Sequence, residues 1–372
     1  MQINNITVFS YQASFNNGTY TMSGGRSTSG QPSIVIRIRT TGAPPIEGWA
    51  ETAPLGSNYL PSSFAAEIAA LKELGPLIIG LDPRSPAAID VIMDRAMMAG
   101  TAAKAVINMA CWDILGKATG LPTSTLLGGS LTKNPPGFCI INFGDPDTGV
   151  KDALAEAEKG FKFMQIKAGA VDPLSDARRV KAIRKALPES VSVWADANAG
   201  WNLDQALTYT RALGQDITVP LEQPCRLMSH CAEVGRRTGL PIVMDEGIVT
   251  MLDLITAHGA GVTAINIKPS RVGGFTKART LRDAAIALDI KVNVDDTWGC
   301  ALTTAQNMQL AASTPPERLR AVDLFTEWIN PMIADVPQMR SDGRVNYTIL
   351  PGNGFGSVNL DMLGEPLFQV NA

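Results

Sequence analysis

Hydrophobic and polar positions along this chain follow two different rhythms, and the change falls near residue 134. Before it, residues 2–10, 32–40 and 46–52 alternate as strands of an antiparallel sheet do, and the segments near 62–75 and 85–118 carry a helical pattern. The second of these contains Ala105-Val-Ile-Asn-Met-Ala-Cys-Trp-Asp-Ile-Leu-Gly-Lys-Ala118, apolar at spacings of three and four, and stops at Gly120 ahead of Leu-Pro. After residue 134 short apolar runs end at Phe143, Lys167, Asp196, Glu222, Asp245, Lys268 and Asp296, 23 to 29 residues apart, and an eighth ends near Phe325. Helical patterns beginning at Asp152 and Lys277 fill two of the gaps. Eight strand–helix units at this spacing predict an α/β fold with a modified (β/α)8-type barrel. An open doubly wound sheet needs no such count, and no Gly-x-Gly-x-x-Gly follows an early strand. The expected organisation is an α+β domain over 1–125, a barrel carrying the active site over 126–345, and a segment 346–372 that returns to the first domain.

Composition narrows the functional classes. The chain has 372 residues, 45% of them hydrophobic, which supports a large core, and a net charge of -3 with mixed signs. No basic block or nucleic-acid motif is present, and no apolar stretch has the length of a membrane span. The N-terminal Met-Gln-Ile-Asn-Asn-Ile-Thr-Val-Phe reads as a strand rather than a signal peptide. Five cysteines without a Cys-x-x-Cys pair predict buried thiols in a reducing compartment, so the expected location is the cytoplasm. Two histidines, His230 and His258, argue against a zinc site. No nucleic-acid or membrane partner is expected, and the expected assembly is a homo-oligomer.

The strand ends carry the chemistry. Lys167, Asp196, Glu222, Asp245 and Lys268 each close an apolar run and precede Gly, Pro, Asn or Ser within a few residues. In a parallel barrel such positions share one mouth. Three carboxylates from successive strands form an oxygen-only set suited to Mg²⁺, with Mn²⁺ as the alternative ion. A lysine on each side faces a substrate from two directions, and one that is neutral abstracts a proton from the carbon beside a carboxylate.

These segments resemble the enolase superfamily in its muconate-lactonizing-enzyme-like subgroup, over essentially the whole chain. The resemblance implies a capping domain over the barrel mouth, Asp196, Glu222 and Asp245 as Mg²⁺ ligands, and Lys167 and Lys268 as the acid/base pair. One departure stands out: the subgroup's Lys-x-Lys reads Gln165-Ile166-Lys167, so the positive charge beside the base is absent. Four further segments, Tyr20–Gly25, Ala53–Pro61, Ala110–Gly120 and Asp296–Gly299, resemble the branch acting on proline derivatives, and look closer to its cis-3-hydroxy-L-proline dehydratases than to its betaine epimerases. The resemblance implies a small-molecule carboxylate, a cyclic amino acid, as the expected partner. It makes Tyr59 and Trp298 walls for a cyclic ammonium group, with Gln165 and Asp296 as further substrate contacts. Gly24-Gly25 reads equally as a lid hinge or a hairpin turn.

Other readings use the same residues differently. A racemase or epimerase of proline derivatives uses the same residues, since two lysines on opposite faces suit a proton exchange at one carbon. A dipeptide epimerase carries Asp-x-Asp at the eighth strand, whereas Asp323 is followed by Leu324 and Phe325. A cycloisomerase shares the subgroup. An acid-sugar dehydratase places a histidine at the seventh strand end, where this chain has Asp295-Asp296-Thr297-Trp298. A non-catalytic binding protein on a retained barrel requires loss of a ligand or base, and all five residues are present.

Overall fold

The computed structural model describes residues 1–16, 18–335 and 354–372, with the backbone of two short strands, Gln338–Met339 and Val345–Asn346, between the last two. Strands β1 (Ile3–Phe15), β2 (Gly30–Thr40) and β3 (Glu47–Thr52) form an antiparallel sheet whose inward positions, among them Ile6, Val8, Ile34, Ile36 and Ile38, are buried. Helices α1 (Phe64–Ile78), α2 (Pro86–Ala96) and α3 (Thr101–Thr119) pack beside it. The segment read as one helix over 85–118 is therefore two. Gly100 takes a left-handed conformation at φ 70° and Met97 is extended, so the apolar pattern runs on across a break that the backbone makes. Helix α3 is buried nearly all round, rich in alanine, and ends at Gly120 with φ 69°, the stop expected from the sequence.

The second rhythm folds into a closed barrel of eight parallel strands: β4 (Gly137–Ile141), β5 (Phe163–Lys167), β6 (Ser192–Asp196), β7 (Leu221–Glu222), β8 (Ile242–Met244), β9 (Ala264–Ile267), β10 (Lys291–Val294) and β11 (Leu319–Asp323). Each strand pairs with its neighbours in sequence, and β11 closes onto β4. Phe138, Trp194 and Ala321 fill the interior as a small core of their own. Two later strands, β12 (Ile329–Asn330) and β13 (Phe368–Asn371), leave the barrel and pair antiparallel with β1, so the end of the described chain joins the first sheet. Of the segment 346–372 expected to return there, residues 347–353 fall outside the described residues. No helix among the described residues is long and apolar enough to cross a membrane, and all five cysteines are buried and free.

Candidate active site at the barrel mouth

Strand register sets the site. Lys167 pairs with Asp196, and Asp196 with Glu222, so three of the five expected residues stand in one row across β5, β6 and β7. Asp245 and Lys268 lie just beyond the ends of β8 and β9. All five are buried, and all line one cavity under the first sheet's loops, together with Tyr20, Tyr59, Gln165, Asp295, Asp323 and Trp328. Its free volume is about 30 Å³, room for about one or two ordered waters rather than a ring. The site is closed.

Charges pair across it. Lys167 Nζ lies 2.7 Å from Asp196, and Lys268 Nζ lies 3.1 Å from Asp245 and 3.0 Å from Asp295. Arg271 Nη1 holds the other Asp245 oxygen at 2.7 Å. Burial by itself draws the Lys167 ammonium down, but Asp196, Tyr20 and Glu222 outweigh it and hold the group above the ordinary lysine range. Lys268 follows the same course: burial lowers it, while Asp245, Asp295 and Tyr59 raise it further. Burial would likewise raise the Asp245 carboxyl, yet Lys268 and Arg271 keep it well below the carboxylate range. Among the described residues no cation lies at contact distance from Glu222; burial, then Asp196 and Asp245, push its carboxyl well up. Its oxygens accept from Trp194 Nε1 at 2.5 Å, Asn266 Nδ2 at 2.8 Å and Gln165 Nε2 at 3.2 and 3.3 Å.

A metal can be tested against these donors. Among the described residues no group of three His, Cys, Asp or Glu side chains is already closed around one point. The acids are turned to lysines and amides instead. In type and charge the set nevertheless fits a hard divalent ion: three buried carboxylates on adjacent strands, with the middle one ion-paired to no cation among the described residues.

The remaining expected residues divide. Tyr59 reaches the site, its hydroxyl 3.3 Å from Asp245 and accepting from Lys268 Nζ at 3.2 Å. Trp298 lines the cavity, its ring against Tyr20 and Trp328 and its N–H spent on Ala13 O. Gln165 faces Glu222. Asp296 also lines the cavity, its carboxylate accepting from Ser270 and the Thr297 amide, while its neighbour Asp295 faces Lys268. Tyr20, Asp295, Asp323 and Trp328 were not among the expected site residues. The two-residue period did signal Asp295, since Asn293 is a polar residue between two valines and points inward to Asn266.

Two loops cover the mouth. Residues 23–25 form a tight turn, with Gly24 at φ 67° and Gly25 at φ 73°. Arg26 ties this turn to the barrel and to the second loop: it donates to Ser23 O at 2.8 Å, Asn198 O at 3.0 Å and Asn58 O at 3.4 Å, and its guanidinium lies 5.6 Å from the Tyr59 ring centre. Gly200 admits the turn, because a Cβ there would come within 2.6 Å of the Ser23 Cβ.

Sequence models agree with this architecture over both parts. The mandelate racemase / muconate lactonizing enzyme N-terminal domain matches residues 6–128, and the enolase C-terminal domain-like model matches 149–358. The chain belongs to the enolase superfamily. It is 37% identical to a cis-3-hydroxy-L-proline dehydratase of Roseibium aggregatum, across 99% of both chains. It is 28% identical to an N-succinyl-L-Arg/Lys racemase of Bacillus cereus, across 91% of both. A mandelate racemase/muconate lactonizing enzyme from Roseovarius nubinhibens ISM, solved in complex with magnesium, superposes over the whole of both chains with a TM-score of 0.94 at 30% identity. This chain is thus an enolase-superfamily enzyme, in a family whose members include dehydratases and racemases.

Proposed function

We propose that this enzyme removes the α-proton of a cyclic amino acid and dehydrates cis-3-hydroxy-L-proline to a cyclic imine acid. The observation that carries the reading is the opposition of Lys167 and Lys268, four strands apart in an eight-stranded barrel, with Asp196, Glu222 and Asp245 on the arc between them. Those acids would hold Mg²⁺, with Mn²⁺ as the alternative; when bound, the ion supplies positive charge for the substrate carboxylate and offsets the acids that now keep both lysines protonated. The residues of the chain do the rest. One lysine, freed of its carboxylate partner, takes the α-proton. The Arg26-tied loops exclude water. Tyr20, Tyr59, Trp298 and Trp328 supply an aromatic lining for a ring cation. Loss of the 3-hydroxyl then gives an enamine that tautomerises. The 37% identity to a dehydratase across nearly the whole chain supports this substrate.

Epimerisation of a proline derivative is the second reading, because two lysines on opposite walls suit proton exchange at one carbon. Incubation with cis-3-hydroxy-L-proline and Mg²⁺ in D₂O separates them. Release of water, abolished in the Lys167→Ala or Lys268→Ala variant, supports dehydration. α-Deuteration with inversion and no loss of water replaces it with epimerisation.

A further inference from the structure

The two lysines divide the mouth into unlike halves. Between them on one side stand β6, β7 and β8 with the three acids; on the other stand β10, β11 and β4 with Asp295, Asp323 and Ile140. A substrate whose carboxylate faces the first arc lays its ring over the second. Asp323 is buried there, lines the same cavity as Asp295 and accepts from Trp328 Nε1 at 3.2 Å. Asp295 is ion-paired with Lys268. Burial, then the charge and hydrogen bonding of Asp295, push the Asp323 carboxyl well above the usual range, so this acid holds its proton. No step assigned so far uses this acid.

We propose that the Asp295–Asp323 pair is the proton donor to the departing hydroxyl, with Asp323 the catalytic acid; the proposal rests on the dehydratase reading. The α-proton goes to a lysine, the C2–H electron pair becomes the C2=C3 bond, and the C3–O bond breaks with its electrons on oxygen. That oxygen takes the Asp323 proton and leaves as water. The Lys268 ammonium beside Asp295 returns a proton to the pair. A lysine base and a separate carboxylic acid divide the work, because the α-hydrogen and the 3-hydroxyl of cis-3-hydroxy-L-proline lie on opposite faces of the ring.

The test compares the wild-type enzyme and its Asp323→Asn variant, with Mg²⁺, on cis-3-hydroxy-L-proline and on the cis-3-fluoro analogue, whose fluoride leaves with less proton assistance. Expected for the variant are α-deuterium exchange within about threefold of wild type, water loss down on the order of 100-fold or more, and fluoride release largely retained. Trp328→Phe, which deletes the N–H donated to Asp323 together with part of the ring packed on Tyr20 and Trp298, is expected to give the same split between the two substrates in weaker form, on top of any change in KM. Unchanged water loss in Asp323→Asn overturns the role. So does an equal fall on both substrates, or a raised KM with kcat intact, which marks Asp323 as a group that holds the ring ammonium. A wild-type enzyme that exchanges the α-proton of every proline derivative and never loses water overturns the dehydratase reading itself, and the role falls with it.

Discussion

Three uncharged donors converge on Glu222: the Gln165 amide, the Trp194 indole and the Asn266 amide, the last held in turn by Asn293 Nδ2 at 2.8 Å. Its flanking acids have lysine or arginine partners; among the described residues Glu222 has none. Here the departure from Lys-x-Lys acquires a physical sense. A lysine at position 165 would add a positive charge to the acid row, whereas Gln165 orients Glu222 and leaves the row more negative. Donors that orient a metal ligand are commonly worth about 10- to 100-fold in affinity. Gln165→Leu is therefore expected to weaken Mg²⁺ binding by about 10-fold or more, read by calorimetry on the metal-free protein, with little change in melting temperature. Unaltered affinity would mean that Trp194 and Asn266 suffice. The sequence displayed Gln165 as an anomaly, but its contact could not be read there, since the partner lies two strands away across the barrel interior.

Elements were more legible than the contacts between them. The spacing of the apolar runs revealed all eight barrel strands because a buried parallel strand has to be apolar and end in a loop. It also located the five charged residues, which sit at strand ends where the pattern is interrupted. Asp295 was passed over because two adjacent acids end one strand and only the alternation of Val292, Asn293 and Val294 tells that it faces Lys268; both acids line the cavity. Met97 and Met98 kept the apolar pattern running through a break between helices. The loop clasp was invisible for a different reason: Arg26 meets a backbone carbonyl at Asn198, and a carbonyl leaves no mark in a sequence. With the cavity too small for a ring, these loops must part for substrate to enter. Arg26→Ala removes their shared tie, at a cost of about 1.5 to 3 kcal/mol for a charge-assisted hydrogen bond. The expected outcome is a KM raised about 10-fold or more, and faster proteolytic cleavage within residues 53–61. A KM unchanged with cleavage unchanged would show that the loops close without it.

Across the whole molecule, the first domain is fastened to the barrel through α2, α3 and the helix Phe275–Ala287. Asp90 of α2 accepts from Asn108 of α3 at 3.0 Å on both oxygens, and Asn108 also donates to Thr276 at 2.8 Å. Nearby, Asp94 takes Lys104 at 3.0 Å and Lys277 at 2.7 Å, so those cations contact Asp94 and act on Asp90 only from a distance. Burial at this junction pushes the Asp90 carboxyl up from 3.8 to about 7; the Asn108 and Thr276 hydrogen bonds and the Lys277 charge pull the other way and fall short, while Asp94 adds to the rise. The sign of the consequence follows from which state holds the proton. Below the unfolded value of 3.8 both states hold it, and the contribution is fully present. As pH rises from there to about 7 the unfolded chain has released its proton while the folded chain retains it, so the contribution is lost progressively and stays lost above. A rise of this size is worth on the order of 4 kcal/mol at most. Asp90→Asn keeps the shape and removes the proton, so its stability relative to wild type should climb across that interval and level off in alkaline solution. Urea unfolding of both proteins at a series of pH values measures the difference, and cancels every other titrating group. A difference that stays flat with pH would mean that Asp90 is ionised in the folded protein, with Lys277 as its counter-charge, and that the junction between domain and barrel is an ion pair network rather than a protonated one.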